Sequence, residues 1–277
     1  MDAWVILLPA FALCALMIAT HTYLGLHVLA RGIIFVDLAL AQVAALGVSV
    51  AFLMGWDAHG LYAQMTALGC TLIAAVLLAK LRDIPDKTTR EVIIGCLYIV
   101  ATAVAIVILS RSSQGMEELK SMFSGNILWV RWEEVALLAI VYAALAVLHA
   151  IFFRRFKALS FDTPAAPRTG SFTWELVFFM SFALVITLAV NLAGVLMVFA
   201  FLIIPAFAAS LLVRSFFARL ALGGALALLG SLAGLWLSFA EDLPAGPVIV
   251  AVLGSLPLFA GGALGVRRWI GKRHQIG

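Results

Sequence analysis

Charge is what this sequence lacks. Only 12% of its 277 residues are Asp, Glu, Lys or Arg, while 65% are apolar; water-soluble domains carry about 25% charged residues. That scarcity excludes an ordinary soluble fold. Cysteine is sparse as well: Cys14, Cys70 and Cys96 show no CxxC or Cys/His spacing, so neither a disulfide framework nor a zinc site is expected, and they read as small buried packing residues. No GxxxxGK[ST] run, GxSxG elbow or HExxH pair occurs, which argues against P-loop nucleotide hydrolysis and against a hydrolytic centre of those types. The expectation is a protein that is not an enzyme.

What the sequence has instead is long apolar runs. Val92–Ser110 and Leu176–Val213 carry no charged residue, and about 20 such residues in a helix span a hydrocarbon core about 30 Å thick. The first apolar run, Trp4–Leu29, has no basic region before it and exceeds the apolar part of a signal peptide, so it counts as a helix. Cutting at charged and turn-forming residues predicts nine spans, at 4–29, 33–54, 60–80, 91–110, 134–153, 174–190, 192–213, 217–239 and 246–266. The run from Trp174 to Val213 is long enough for two helices with a reversal near Asn191 and Gly194.

Lys and Arg collect on the cytoplasmic side of a correctly drawn topology. With the N-terminus outside and the C-terminus inside, fifteen of the 18 basic residues fall inside and only Arg111, Lys120 and Arg131 fall outside. Merging the sixth and seventh spans destroys that bias. The expected fold is therefore an all-α polytopic membrane protein of about nine transmembrane helices, a single domain over residues 1–277 in the cell (inner) membrane. The net charge of +4 reads as a topology signal and an inner-leaflet anchor; no nucleic-acid partner is expected. Two longer loops remain. The outer one, 111–133, holds SMFSGNILWV, a partly apolar piece suited to lying on the membrane surface or dipping into it, and the inner one holds FDTPAAPRTG.

Ionisable groups within the spans cost a few kcal/mol each and are functional candidates. Asp37 lies about one turn into the second span among small and apolar residues, with Gln42 further along. Two readings stay open for Asp37: a pairing with Arg31 or a helix-end amide, and a place on a transport path. Asp37 and Gln42 are five residues apart, about 140° around an ideal helix, so they do not face one ligand unless the helix is distorted. His21 lies inside the first span, with packing and function both open. His27 and His149 fall at inner helix ends and are expected at the interface; Glu91 and Glu175 are expected in first turns, against the positive end of the helix dipole. Pro205 removes a backbone hydrogen bond and is expected to kink its helix.

Four blocks in order, LGLHVLARGIIFVDLALAQVAALGV, SMFSGNILWV, SFDTPAAPRTG and NLAGVLMVFAFLIIPAFAASLL, with LPAGPVIVAVLG after them, resemble the permease subunits of ABC importers for zinc, manganese and iron. The resemblance runs from about Gly25 to Ala260. It implies a permease that works with a second copy of itself, two ATPase subunits that use the ATP, and an extracytoplasmic substrate-binding protein; no cofactor is expected on this chain itself. It also implies a cytoplasmic coupling segment at about 158–170, with Phe161, Asp162, Thr163, Pro164 and Arg168 as the contact to the ATPase. Members of that family carry Gly-Asp followed four residues later by His in the second helix. Here an ungapped alignment puts Asp37 on the glycine, Leu38 on the aspartate and Gln42 on the histidine, so the expected ligand pair is missing. Asp37, Gln42 and His21 are the expected pathway residues, with Asp37 the candidate metal ligand. The implied cargo is a divalent transition metal or its chelate. An iron-siderophore or cobalamin-like cargo is the alternative, and an ATP-independent channel or ion-coupled carrier and an intramembrane enzyme are more distant ones.

Overall fold

The computed structural model describes residues 3–58, 60–111, 114–161 and 172–262. Ten α-helices make up the fold among them: α1 (Ala3–Arg31), α2 (Val36–Leu53), α3 (Leu61–Lys80), α4 (Lys87–Leu109), α5 (Gly115–Ser124), α6 (Trp132–Ile151), α7 (Phe153–Phe161), α8 (Phe172–Leu212), α9 (Phe216–Ala240) and α10 (Ala245–Gly254). Helix is what an apolar chain must adopt in a bilayer, because no water is present there to satisfy an open backbone. Eight of these helices, counting α10 with its continuation to Gly262, are long and apolar enough to cross a membrane.

The longest, α8, is not one rod. Its 41 residues contain a single non-helical position, Gly194, at φ 78° and ψ 161°. Packing against α1 shows what the break does. Arg31 pairs with Glu175 before the break, and Gly25, six residues earlier, lies against the backbone of Leu202 and the side chain of Ala206 after it. Gly25 and Arg31 are about 9 Å apart along α1, whereas Glu175 and Ala206 would be about 46 Å apart on a straight helix. The two limbs therefore fold back on each other at Gly194, as the sequence predicted for this stretch. Pro205, by contrast, sits within regular helix in the second limb; the break falls at the glycine and not at the proline. Gly125, also at positive φ, meets Gly194 backbone to backbone, and a Cβ on either residue would strike the other's chain. The SMFSGNILWV piece thus docks on the turn of α8 through α5 and Gly125, and its short 3-10 turn Ile127–Trp129 touches α1.

Enclosed at the centre is α2, packed on α3, α4 and α8, while α1 packs on both α8 and α9. The outer faces of α4 and α6 expose Ile99, Val107, Ile140 and Val147, as suits helices bathed in hydrocarbon, where an apolar side chain loses nothing by facing outward. Cys96 is exposed on that face and Cys70 is half-buried; of the three cysteines only Cys14 is a core residue as expected. Across the α3–α8 contact the hydroxyls of Thr71 and Thr187 lie 2.7 Å apart. Such side-chain hydrogen bonds join helices where no water competes.

Three local features differ from the sequence reading. The inner loop is partly helical, because Phe156 and Ser160 form a buried i, i+4 stripe that seats α7 while Arg154, Arg155 and Lys157 stay exposed. Helix α4 starts four residues earlier than predicted, at Lys87, because the Asp86 side chain caps the amides of Thr88 and Thr89. Glu91 therefore lies in the second turn, and its Oε1 accepts a hydrogen bond from the Phe35 amide ahead of α2.

Candidate transport path and coupling site

Asp37, in the first turn of α2, is fully buried, and neither carboxylate oxygen has a hydrogen-bond partner among the described residues. Of the readings left open for Asp37, the pairing with Arg31 does not form. Arg31 Nη1 instead bonds Glu175 Oε2 at 2.7 Å, so Glu175 serves as the partner of a buried guanidinium and not merely as a helix-dipole acid. Gln42 is buried as well, with its amide nitrogen unpartnered among the described residues. His21 Nδ1 lies 2.8 Å from the Met17 carbonyl, one turn back on α1. A carbonyl only accepts, so Nδ1 carries the proton and Nε2 is left as a buried bare acceptor without a partner among the described residues.

Tyr142 of α6 lies beside one of these groups. Its ring is 6.1 Å from that of His21, centroid to centroid, and its hydroxyl donates to the Val185 carbonyl at 3.0 Å. Nothing in the sequence marked Tyr142; an isolated tyrosine in an apolar run gives no signal until α6 is placed beside α1. Among the described residues no group of three or more His, Cys, Asp or Glu side chains converges as a metal site. Asp37 thus belongs to no such group among the described residues. Leu38, on the position where the resembled family has aspartate, is half-buried and offers no ligand atom.

A second polar cluster lies at the Arg31 end of the bundle. His27 Nδ1 and Arg31 Nε both lie 2.8 Å from Ser160 Oγ. His149 reaches Ser181 at 2.9 Å and Tyr23 at 3.2 Å and stacks on Phe156 at 4.1 Å. Both histidines are therefore buried within the protein at the helix ends, where α7 folds up over them and covers them. Aromatic rings fill the remaining space, with Phe178 under the Arg31 guanidinium at 3.9 Å and Phe161 and Phe216 edge-on to His27. Phe161, the last residue of α7, is the one predicted coupling residue that can be placed; Asp162, Thr163, Pro164 and Arg168 lie outside the described residues.

Known proteins share both the sequence pattern and the fold. The chain is 26% identical over 257 residues to the chelated iron transport system membrane protein YfeC of Yersinia pestis, covering 91% of this chain and 85% of that protein. It is 25% identical over 231 residues to the manganese transport system membrane protein MntC of Listeria innocua, covering 83% and 80% of the two chains. In fold it is similar to a chain of PsaBC from Streptococcus pneumoniae, solved in complex with a Fab, at a TM-score of 0.74 and 23% identity, with 92% of this chain and 90% of that one covered. The model of the ABC 3 transport family matches residues 4–261, and the chain belongs to that family.

Proposed function

We propose that this chain is the membrane-spanning permease of an ATP-driven importer for a divalent transition metal, manganese, iron or zinc, or for its chelate. The observation that carries the proposal is the near full-length likeness to membrane proteins named for manganese and chelated-iron transport. In this reading the Arg31 end of the bundle faces the cytoplasm, and each limb of α8 is a separate crossing. The segment from Phe161 to Arg168 meets an ATPase subunit there, and an extracytoplasmic binding protein delivers the cargo to the Gly194 end beside a second copy of the chain.

Asp37, Gln42 and His21 are the pathway groups. Each is buried with at least one polar atom unpartnered among the described residues, a costly arrangement for a purely structural core. In this conformation they are closed off, so cargo reaches them only when α2 and its neighbours separate, as alternating access requires. A carboxylate and an amide on α2 also bind a transition metal more weakly than the Asp/His pair of the resembled family. That observation favours the chelate as second reading: a metal already wrapped by an organic ligand needs fewer protein donors. Deleting the gene from its host and measuring uptake of radioactive manganese, zinc and iron, free and chelated, tests the proposal. Loss of uptake for at least one is expected, and unchanged uptake of every form would refute it.

A further inference from the structure

The guanidinium of Arg31, distant in sequence from both, joins two places that lie on either side of one segment. Its Nε donates to Ser160 Oγ at 2.8 Å, in the last turn of α7. Its Nη1 donates to Glu175 Oε2 at 2.7 Å, in the first turn of α8. Between α7 and α8 lie ten residues, 162–171, which include four of the five proposed ATPase contacts. One buried side chain at the end of α1 thus holds both flanks of that segment.

Local chemistry makes this tie specific to arginine. The guanidinium carbon sits over the Phe178 ring, 3.9 Å from its centroid, and two donors on different nitrogens are spent on two acceptors that α1 could not otherwise bridge. A lysine ammonium is a point charge without that planar fork. Ser160 accepts from Arg31, and its own proton is free for His27 Nδ1, 2.8 Å away, so α1 grips the end of α7 from two successive turns. Both limbs of α8 also pack on α1, the first at Arg31 and the second at Gly25. A displacement of the flanks is therefore delivered to α1 and, through it, to the limb beyond the Gly194 break.

We propose that Arg31 is a positioning residue that couples the ATPase stroke to the transport helices by fastening the end of α7 and the start of α8 to the end of α1. This rests on the coupling role given above to Phe161–Arg168, and the test separates the two. The chain is reconstituted in lipid vesicles with its ATPase and binding protein, with manganese(II) ion as the probe, and the ATP hydrolysed per ion accumulated is measured beside the amount of ATPase retained in the complex.

Arg31→Gln is expected to raise the ATP cost per ion about tenfold, a coupling loss of ordinary allosteric size, in complexes that still retain the ATPase. Arg31→Lys, which keeps the charge, is expected to restore less than half of the loss. An unchanged ratio in assembled Arg31→Gln complexes overturns the proposal. Where that variant does not assemble, Ser160→Ala and Glu175→Gln each cut one arm and are expected to raise the ratio severalfold; no change in both overturns it equally. Arg168→Cys, paired with cysteines placed on the ATPase, reports on the underlying reading. A crosslink together with an unchanged ratio defeats the Arg31 inference alone, whereas failure to crosslink anywhere on the ATPase defeats the coupling role itself.

Discussion

Asp37 combines complete burial with two unpartnered carboxylate oxygens. A group like that is costly to keep, and an unsatisfied buried polar atom costs about 1–3 kcal/mol. Asp37→Leu is accordingly expected to resist thermal unfolding in detergent better than the parent chain while losing uptake; a less stable variant with full uptake would remove Asp37 from the path. The sequence pointed to this residue because ionisable groups are so few in the spans. It did not show where Arg31 turns. Asp37 and Glu175 both stand near Arg31 in the predicted topology, and only the approach of α8 to α1 decides for Glu175. The burial of His27 and His149 was equally hidden, because it depends on α7 folding up over them through Phe156 and Ser160.

Helices were easier to read than side chains. Their ends coincide with charged and turn residues that a hydrocarbon core does not accept, and the reversal within Trp174–Val213 followed from length and from the distribution of Lys and Arg. Where in that stretch the chain breaks is a matter of contact: Gly194 and Gly125 adopt positive φ and meet without room for a Cβ. Gly194→Ala is expected to lower stability by roughly 1–3 kcal/mol from backbone strain alone, more with the collision. Thermal unfolding of the purified variant checks this, and an unaltered transition would contradict the packing described. The early start of α4 rests on Asp86, whose cap was not foreseen. The Thr89 hydroxyl and amide and the Thr88 amide bond its carboxylate, and the Thr89 hydroxyl bond first among them holds Asp86 below its ordinary carboxylate value. A depressed value means that the cap stabilises the helix above the unfolded carboxylate's titration range and fades as pH falls through the folded one. Amide exchange at Thr88 and Thr89 should therefore quicken on acidification in the parent chain and hardly change with pH, beyond the intrinsic exchange chemistry, in Asp86→Asn. Equal pH responses in the two would refute the cap.

At the scale of the whole molecule, the membrane fold and the family were legible from the sequence because scarcity of charge and the order of four motif blocks are properties of the entire chain. Orientation, cargo and partners are different in kind, since they depend on molecules outside it. In the proposed function, a bundle of apolar helices gains direction from what docks at its ends. The decisive measurement is accumulation of radioactive manganese, zinc or iron, free or chelated, in vesicles that hold the chain with or without its ATPase and binding protein. The proposed function predicts accumulation only with all three proteins and hydrolysable ATP. Equal accumulation from the chain alone, or none for any of these cargoes while the complete complex hydrolyses ATP, would contradict it.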